Sequence, residues 1–304
     1  MFIRVLGAGA GGGFPQWNCN CPNCKGLRDN SFSGKPRTQS SIAVSADQEN
    51  WLLINASPDV RTQLEFFDEA HPENAVRGTG IKAILLIDGQ IDHCTGLLIL
   101  REGEALELYT TEVVKHDLSS HFPIINILSH YCGVNHHIVP IDGNAFFIDQ
   151  ISDIKITAHA LASRAPPYSP NRHNATAGDN IGVTIEQIST RKKVYYAPGV
   201  AEIESHVLLA MQQADCVLVD GTFWTNDELV KCCGSDKYAR DIGHLPQSGK
   251  SGMIEVLSSL PKHIDRHLIH INNTNPILNE DSAEYAELVG AGIGVCYDGQ
   301  TIIL

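Results

Sequence analysis

Short apolar runs, broken by Gly, Pro, Asn and Asp, recur along the whole chain. Their length and β-rich composition suit strands better than helices. The pattern predicts strands over Phe2–Leu6, Ser41–Ser45, Trp51–Ile54, Ala83–Ile87, Glu107–Tyr109, Phe146–Ile148, Ile154–Ala158, Gly182–Gln187, Lys193–Ala197, Cys216–Val219, His267–Ile271, Gly294–Tyr297 and Thr301–Leu304. Ser41–Ser45 and Trp51–Ile54 read as a hairpin pair. Ala83–Ile87 is apolar on both faces, which marks a central strand. Helical segments fall between the strands, over Asp59–Phe67, Thr95–Leu100, Thr111–Leu118, Ile125–Tyr131, Ala201–Gln213, Gly249–Leu257 and Ala283–Leu288. The first of these follows Ser57-Pro58, a helix-start signal. Strands cluster early and then mix with helices, without the strict alternation of a doubly wound sheet. The expected class is α/β (α+β): two mixed sheets packed together with helices outside.

Composition narrows this. At roughly 150 residues per domain, 304 residues allow two small domains or one large one. No repeat or low-complexity linker divides the chain, so one domain over 1–304 is expected. The net charge of −13, from 22 Lys+Arg against 35 Asp+Glu, disfavours nucleic acid and anionic membrane surfaces. No apolar stretch approaches the roughly 18 residues of a membrane span. The uncharged run Leu118–Ile141 is interrupted by Ser, His, Asn and Pro. The N-terminus has no apolar segment of signal-peptide length, so a cytoplasmic location is expected. Nine cysteines, an odd number with three inside six positions, fit a metal site plus free thiols rather than a disulfide framework.

Five groupings carry candidate chemistry. Cys19, Cys21 and Cys24 stand at C-x-C-x-x-C spacing on a Pro/Asn turn and can converge on Zn²⁺ in a structural site; three unrelated buried thiols are the alternative. The fourth ligand must come from elsewhere. Asp88-Gly-Gln90-Ile-Asp92-His93 follows the central strand, where α/β proteins place ligands. Asp92 alone could equally be a helix cap. His267 and His270 fall on opposite faces of one strand, so they do not share a metal; His270 ends that strand, and a packed core histidine is the other reading. Asp220 ends an apolar strand before Gly-Thr. His244 sits in a loop entering a helix.

Taken together, GAGAGGGFPQWNCNCPNC, NASPDVRTQL, DGQIDHCTGLLILREG, LVDGTFW, GHLPQSG and LIHINNTNPIL resemble the metallo-β-lactamase fold superfamily. Within it they are similar to the branch that serves pyrroloquinoline quinone (PQQ) biosynthesis. These segments span residues 7 to 278. The resemblance implies a four-layer αββα sandwich. Hydrolases of the superfamily carry H-x-H-x-D-H after the central strand; here Asp88 and Gln90 replace the two leading histidines, while Asp92 and His93 are kept. Further zinc ligands of the hydrolases would fall near Ser163 and Gly199, and the terminal histidine is kept as His270. A two-zinc hydrolytic site is therefore depleted. What remains is Asp92, His93 and His270, with Gln90, Asp88 and Asp220 as further groups. Two imidazoles and one carboxylate favour non-haem Fe²⁺ and O₂ chemistry.

The branch implies hydroxylation of the tyrosine ring in a Glu–Tyr-derived precursor, alongside other PQQ-biosynthesis proteins. The alternative is a soluble carrier of PQQ or its precursor towards the periplasm. A metal-dependent hydrolase, with His244 as general acid, is a third reading. The cysteine triplet matches a zinc loop of the superfamily whose fourth ligand is a histidine; that position is Asn273 here. An acidic substrate would need local cations, with Arg61, Arg101, Arg164, Arg172 and Lys250 as candidates.

Overall fold

A computed structural model of the chain describes residues 1–72 and 75–304. Among the described residues, fourteen strands form two seven-stranded sheets. The first sheet contains β1 (Phe2–Gly7), β2 (Ser41–Ser45), β3 (Trp51–Ile54), β4 (Ile81–Leu85), β5 (Leu106–Thr110), β6 (Val134–Ile138) and β14 (Thr301–Ile303). Its order is β14-β1-β2-β3-β4-β5-β6. The second contains β7 (Ala145–Ile148), β8 (Ile151–Ala160), β9 (Ile181–Gln187), β10 (Lys193–Ala197), β11 (Cys216–Asp220), β12 (Asp265–Ile269) and β13 (Gly294–Val295), in the order β13-β12-β11-β10-β9-β8-β7. Each sheet is half antiparallel and half parallel. The parallel halves are β3-β4-β5-β6 and β10-β11-β12-β13.

Three apolar cores separate four layers, the αββα sandwich expected. Ile42, Ile54, Leu85, Ile156, Val183, Leu218 and Ile269 pack between the sheets. Leu53, Ile84 and Leu86 face the helices Val60–Glu65, Glu112–Ser120 and Ile124–Leu128. Val217, Val219 and Leu268 face Ser205–Gln212, Met253–Ser259 and Ala283–Gly290. Central strands such as β3 and β11 bury every residue, which is why they read as continuous apolar runs. Each large aliphatic side chain so buried contributes about 1.5–3 kcal/mol.

Several element bounds differ from the expectation. β4 starts and ends two residues early, and residues 86–87 already belong to the site loop. β6 was not expected, because Val134-Asn-His-His-Ile is a half-exposed edge strand with no apolar run. Helix Ser205–Gln212 starts four residues late, with Glu204 as its extended N-cap. Thr95–Leu100 is a 3₁₀ turn over Thr95–Leu98, following a short helix at Ile91–Cys94. Helices Pro22–Arg28 and Glu228–Cys233 are additional. No helix among the described residues is long and apolar enough to cross a membrane.

Candidate metal centre

The C-terminal ends of the parallel strands of both sheets meet at one cavity of about 300 Å³. The loop after β4 supplies Asp88, Gln90, Asp92 and His93. β11 ends in Asp220, followed by Thr222, and His270 follows β12. The two sides are stitched together: Ile181 N–H donates to the Ile87 carbonyl at 2.9 Å, and Asp88 bridges Asn180.

Local sequence fixes each side chain. Asn55 takes a left-handed φ of 64° after β3, and its side-chain oxygen accepts from Ile87 N at 3.3 Å. Ala56 N then donates to the His93 carbonyl at 2.7 Å, and Gly96 N donates to the Ala56 carbonyl at 2.9 Å. A Cβ on Gly96 would lie 2.2 Å from the Ser57 carbonyl oxygen, so only glycine lets the two loops meet this closely. His270 sits at φ 61°, a conformation that costs a non-glycine residue about 1–3 kcal/mol. Backbone bonds from Ile271 N to the Ala8 carbonyl and from Ala10 N to the Ile271 carbonyl, both 2.9 Å, hold it there.

Asp92, His93 and His270 present one donor atom each within 4.8 Å of one another. His93 Nδ1 lies 2.8 Å from Asp88 Oδ1. Its Nε2 is buried with no hydrogen-bond partner and faces Asp92 Oδ2 at 3.8 Å. His270 Nε2 is 3.5 Å from the same oxygen. Thr222 Oγ1 stands 2.6 Å from Asp220 Oδ1 and 2.9 Å from His270 Nδ1. The threonine hydroxyl has one proton, and it goes to the carboxylate. Thr222 therefore accepts from His270 Nδ1–H and leaves Nε2 with a lone pair turned into the cavity. Asp220 Oδ2 also accepts from His244 Nδ1 at 2.8 Å, and the His244 ring stacks on His270 at 5.5 Å.

The electrostatics ask for a cation. Burial pulls His93 down, but Asp88 and Asp92 outweigh it and raise the imidazole to about 9. Burial opposes ionisation of Asp92, yet His93 and His270 hold its carboxyl well below the usual range. Burial and the neighbouring His93 and His244 keep His270 below its ordinary value, against the pull of Asp92. A buried imidazole nitrogen without a hydrogen-bond partner, a second imidazole and a carboxylate form a set that fits a divalent metal, which would take the place of the proton on His93. Asp88 and Thr222 are the partners that orient its histidines.

The expected residues separate here. Asp92, His93 and His270 converge. His244 lines the same cavity, and Asp220, fully buried behind it, groups with His244 and His270. Gln90 also lines it, and its amide donates to the Arg164 carbonyl at 3.4 Å. Ser163 and Gly199 also line the cavity. Of the five cations considered, Arg164 and Arg172 reach the rim. Arg61 instead pairs with Glu65 on the surface, Arg101 lies beside Glu102, and Lys250 is exposed and not among the lining residues. His267 belongs to a different cluster from His270, as the strand alternation requires.

Close to this lining, under the segment that runs on from His270 and Asn272 to Asn273, the sulfurs of Cys19, Cys21 and Cys24 also lie within 4.8 Å of one another. The Asn273 side-chain nitrogen caps them at 3.2, 3.7 and 3.3 Å. A half-turn of that amide would place its oxygen over the three sulfurs. Burial pushes the Cys24 thiol up to about 11, so a cation is needed to hold it as thiolate near neutrality.

The Asn273 segment is propped by Glu228, whose carboxylate accepts from Thr274 Oγ1 at 2.5 Å and from Trp224 N at 2.6 Å. Burial raises Glu228 from 4.5 to about 7. The native state therefore keeps a proton that the unfolded chain sheds above pH 4.5. Stability is predicted to fall as pH rises from about 4.5 to 7 and to level off above, by on the order of 3 kcal/mol. Urea unfolding of the parent and of Glu228→Gln across this window should show the slope in the parent and a flatter profile in the variant.

The profile of the family described as a beta-lactamase superfamily domain matches residues 50–271. Over 305 residues, covering all of both chains, the protein is 58% identical to coenzyme PQQ synthesis protein B of Methylococcus capsulatus. The chain belongs to the coenzyme PQQ synthesis protein B family. The zinc-bound crystal structure of PqqB from Methylobacterium extorquens superposes with a TM-score of 0.91 at 34% identity, covering both chains completely. A diphosphatase of the PhnP family shares the fold at a TM-score of 0.68 and 19% identity, over 99% of this chain and 96% of that one.

Family membership sharpens attention on residues that sequence reasoning passed over. Thr222 was visible only as part of a strand-ending Asp-Gly-Thr, yet it is the hinge between Asp220, His244 and His270. Thr222→Val keeps the shape and removes the hydroxyl's contacts with Asp220, His244 and His270. It is predicted to weaken metal retention roughly 10–100-fold, as loss of a ligand-orienting partner does. Competition with a chelator would measure it; retention equal to the parent would remove Thr222 from the site.

Proposed function

We propose that this chain acts in PQQ biosynthesis as a metal-dependent enzyme that hydroxylates the tyrosine-derived ring of a Glu–Tyr compound, using Fe²⁺ and O₂. The observation that carries the reading is the convergence of Asp92, His93 and His270 in a cavity whose lining also includes Ser163 and Gly199, near which the resemblance would put further zinc ligands of the hydrolases. Such a donor set supplies a redox-active ion with positions left over for O₂ and substrate.

The chain's own residues do the rest. Asp88 fixes the His93 ring, and Thr222 fixes His270. A cavity of about 300 Å³ admits one aromatic ring, and an adjoining groove of about 540 Å³ shares Ser163 and Arg164 with it. The ring would enter the first and the amino-acid remainder would lie along the second. Arg164 and Arg172 on the rim offer guanidinium groups to carboxylates, offsetting the overall charge of −13. His244, with Nδ1 turned to Asp220, has Nε2 as the atom able to give or take a proton beside the ring. Cys19, Cys21, Cys24 and Asn273 would hold a structural Zn²⁺. The nine free thiols support work in a reducing compartment, the cytoplasm, with other proteins of the pathway as partners.

The test is anaerobic loading with Fe²⁺, then O₂, a small reductant and a Glu–Tyr compound. A ring-hydroxylated product is expected. Bound iron with no oxidised product would sink the oxygenase reading. PQQ binding that survives His93→Ala, together with undiminished PQQ output in cells, would instead mark a carrier.

A further inference from the structure

A further donor cluster lies in the second sheet, at the end away from the cavity. Cys216 begins β11 and Asp265 begins β12, directly opposite in parallel register; His267 is two residues on. In-register neighbours and i, i+2 positions share a face, so all three side chains point the same way. Asp220 and His270 close these strands while Cys216 and Asp265 open them, which puts roughly 15 Å between the two clusters. The sulfur, one carboxylate oxygen and one ring nitrogen lie within 4.8 Å of one another.

The histidine is the telling member. A neutral imidazole has one N–H and one lone pair, and burial obliges both to find partners. Both ring nitrogens of His267 are buried and neither makes a hydrogen bond. Nε2 is 2.9 Å from Asp265 Oδ2, but the carboxylate lies out of line for an N–H···O bond. The ring lies on the bare backbone of Gly294, where a Cβ would come within 2.5 Å of Nδ1. Cys216 is fully buried, while Asp265 opens to solvent and offers an entry path. Cys296, also fully buried, is close enough for the charge of Asp265 to act on it and for its own to act on Cys216.

We propose that Cys216, Asp265 and His267 bind a zinc ion, separate from both the cavity and the cysteine triplet. Thiolate, imidazole and carboxylate together suit zinc, with water on the Asp265 side completing a tetrahedron. The Cys216 thiol gives its proton to solvent as the sulfur–metal bond forms. The ion would tie β11 to β12 and satisfy the imidazole that the fold leaves without a partner.

Crystals of the parent chain saturated with zinc should give an anomalous difference peak at the zinc edge between Cys216 Sγ, the His267 ring and Asp265. In solution, Cys216→Ser and His267→Gln, each checked for native circular dichroism, should retain about one equivalent of zinc per chain less than the parent after dialysis. No peak in zinc-saturated crystals overturns the proposal, whatever the variants do. Undiminished zinc in both folded variants overturns it as well.

Discussion

His93→Ala is expected to empty the cavity of the metal proposed for it and to abolish the proposed ring oxidation. The loss should go well beyond the roughly 10–100-fold expected when only an orienting partner is removed. His93 contributes one of two imidazoles, and its substitution leaves Asp88 and Asp92 facing each other with no positive group between them. Metal analysis of anaerobically prepared protein, paired with single-turnover product formation, checks the claim. The ordering matters: Thr222→Val should fall between parent and His93→Ala in metal retention. If His93→Ala kept its metal and its turnover, the donor set assigned here would be wrong.

The second large effect is expected at the other metal position. Cys24→Ser should release the zinc assigned to the triplet and lower the melting temperature by roughly 5–8 °C, the shift that a loss of about 3–5 kcal/mol produces in a chain of this size. The reach of the effect is set by packing. Cys24 is fully buried in the core beneath the second sheet, and the same loop system carries Gly11, where a Cβ would stand 3.2 Å from Asp92 Oδ2. Loosening the triplet therefore frees the wall against which Asp92 rests, and turnover should fall together with stability. Calorimetry with parallel zinc analysis would decide; a variant that keeps its zinc, or loses it with no change in melting, would contradict the structural role.

Much of this arrangement was readable from residue order. Buried central strands announce themselves as unbroken apolar runs, which is how β3, β11 and the hairpin partner β2 were found. Asp92, His93 and His270 could be picked out because each follows a strand and stands where a known ligand pattern leaves it. Other features were illegible for physical reasons. β6 is a polar edge strand, stabilised by pairing with β5 and by His136 bonding Thr110 Oγ1 at 2.8 Å, and neither tertiary contact has a local signature. Thr222 gained its role only from three groups brought to it by separate segments. Asp88 looked like a substituted ligand, whereas its carboxylate holds the far side of the His93 ring. His267 was marked in the sequence only by falling on the opposite face from His270; that both its nitrogens lack a hydrogen bond is a tertiary fact.

The cavity takes Asp88, Asp92 and His93 from one sheet and Thr222 and His270 from the other. Any ion gripped there works as a clasp across the seam between them. Slackening deep in the interior, at Leu85 or Leu218 for instance, would part the two jaws by fractions of an ångström. Such a lesion would dim catalysis long before the molecule came undone, so reduced activity in a well-folded variant need not point to the cavity itself.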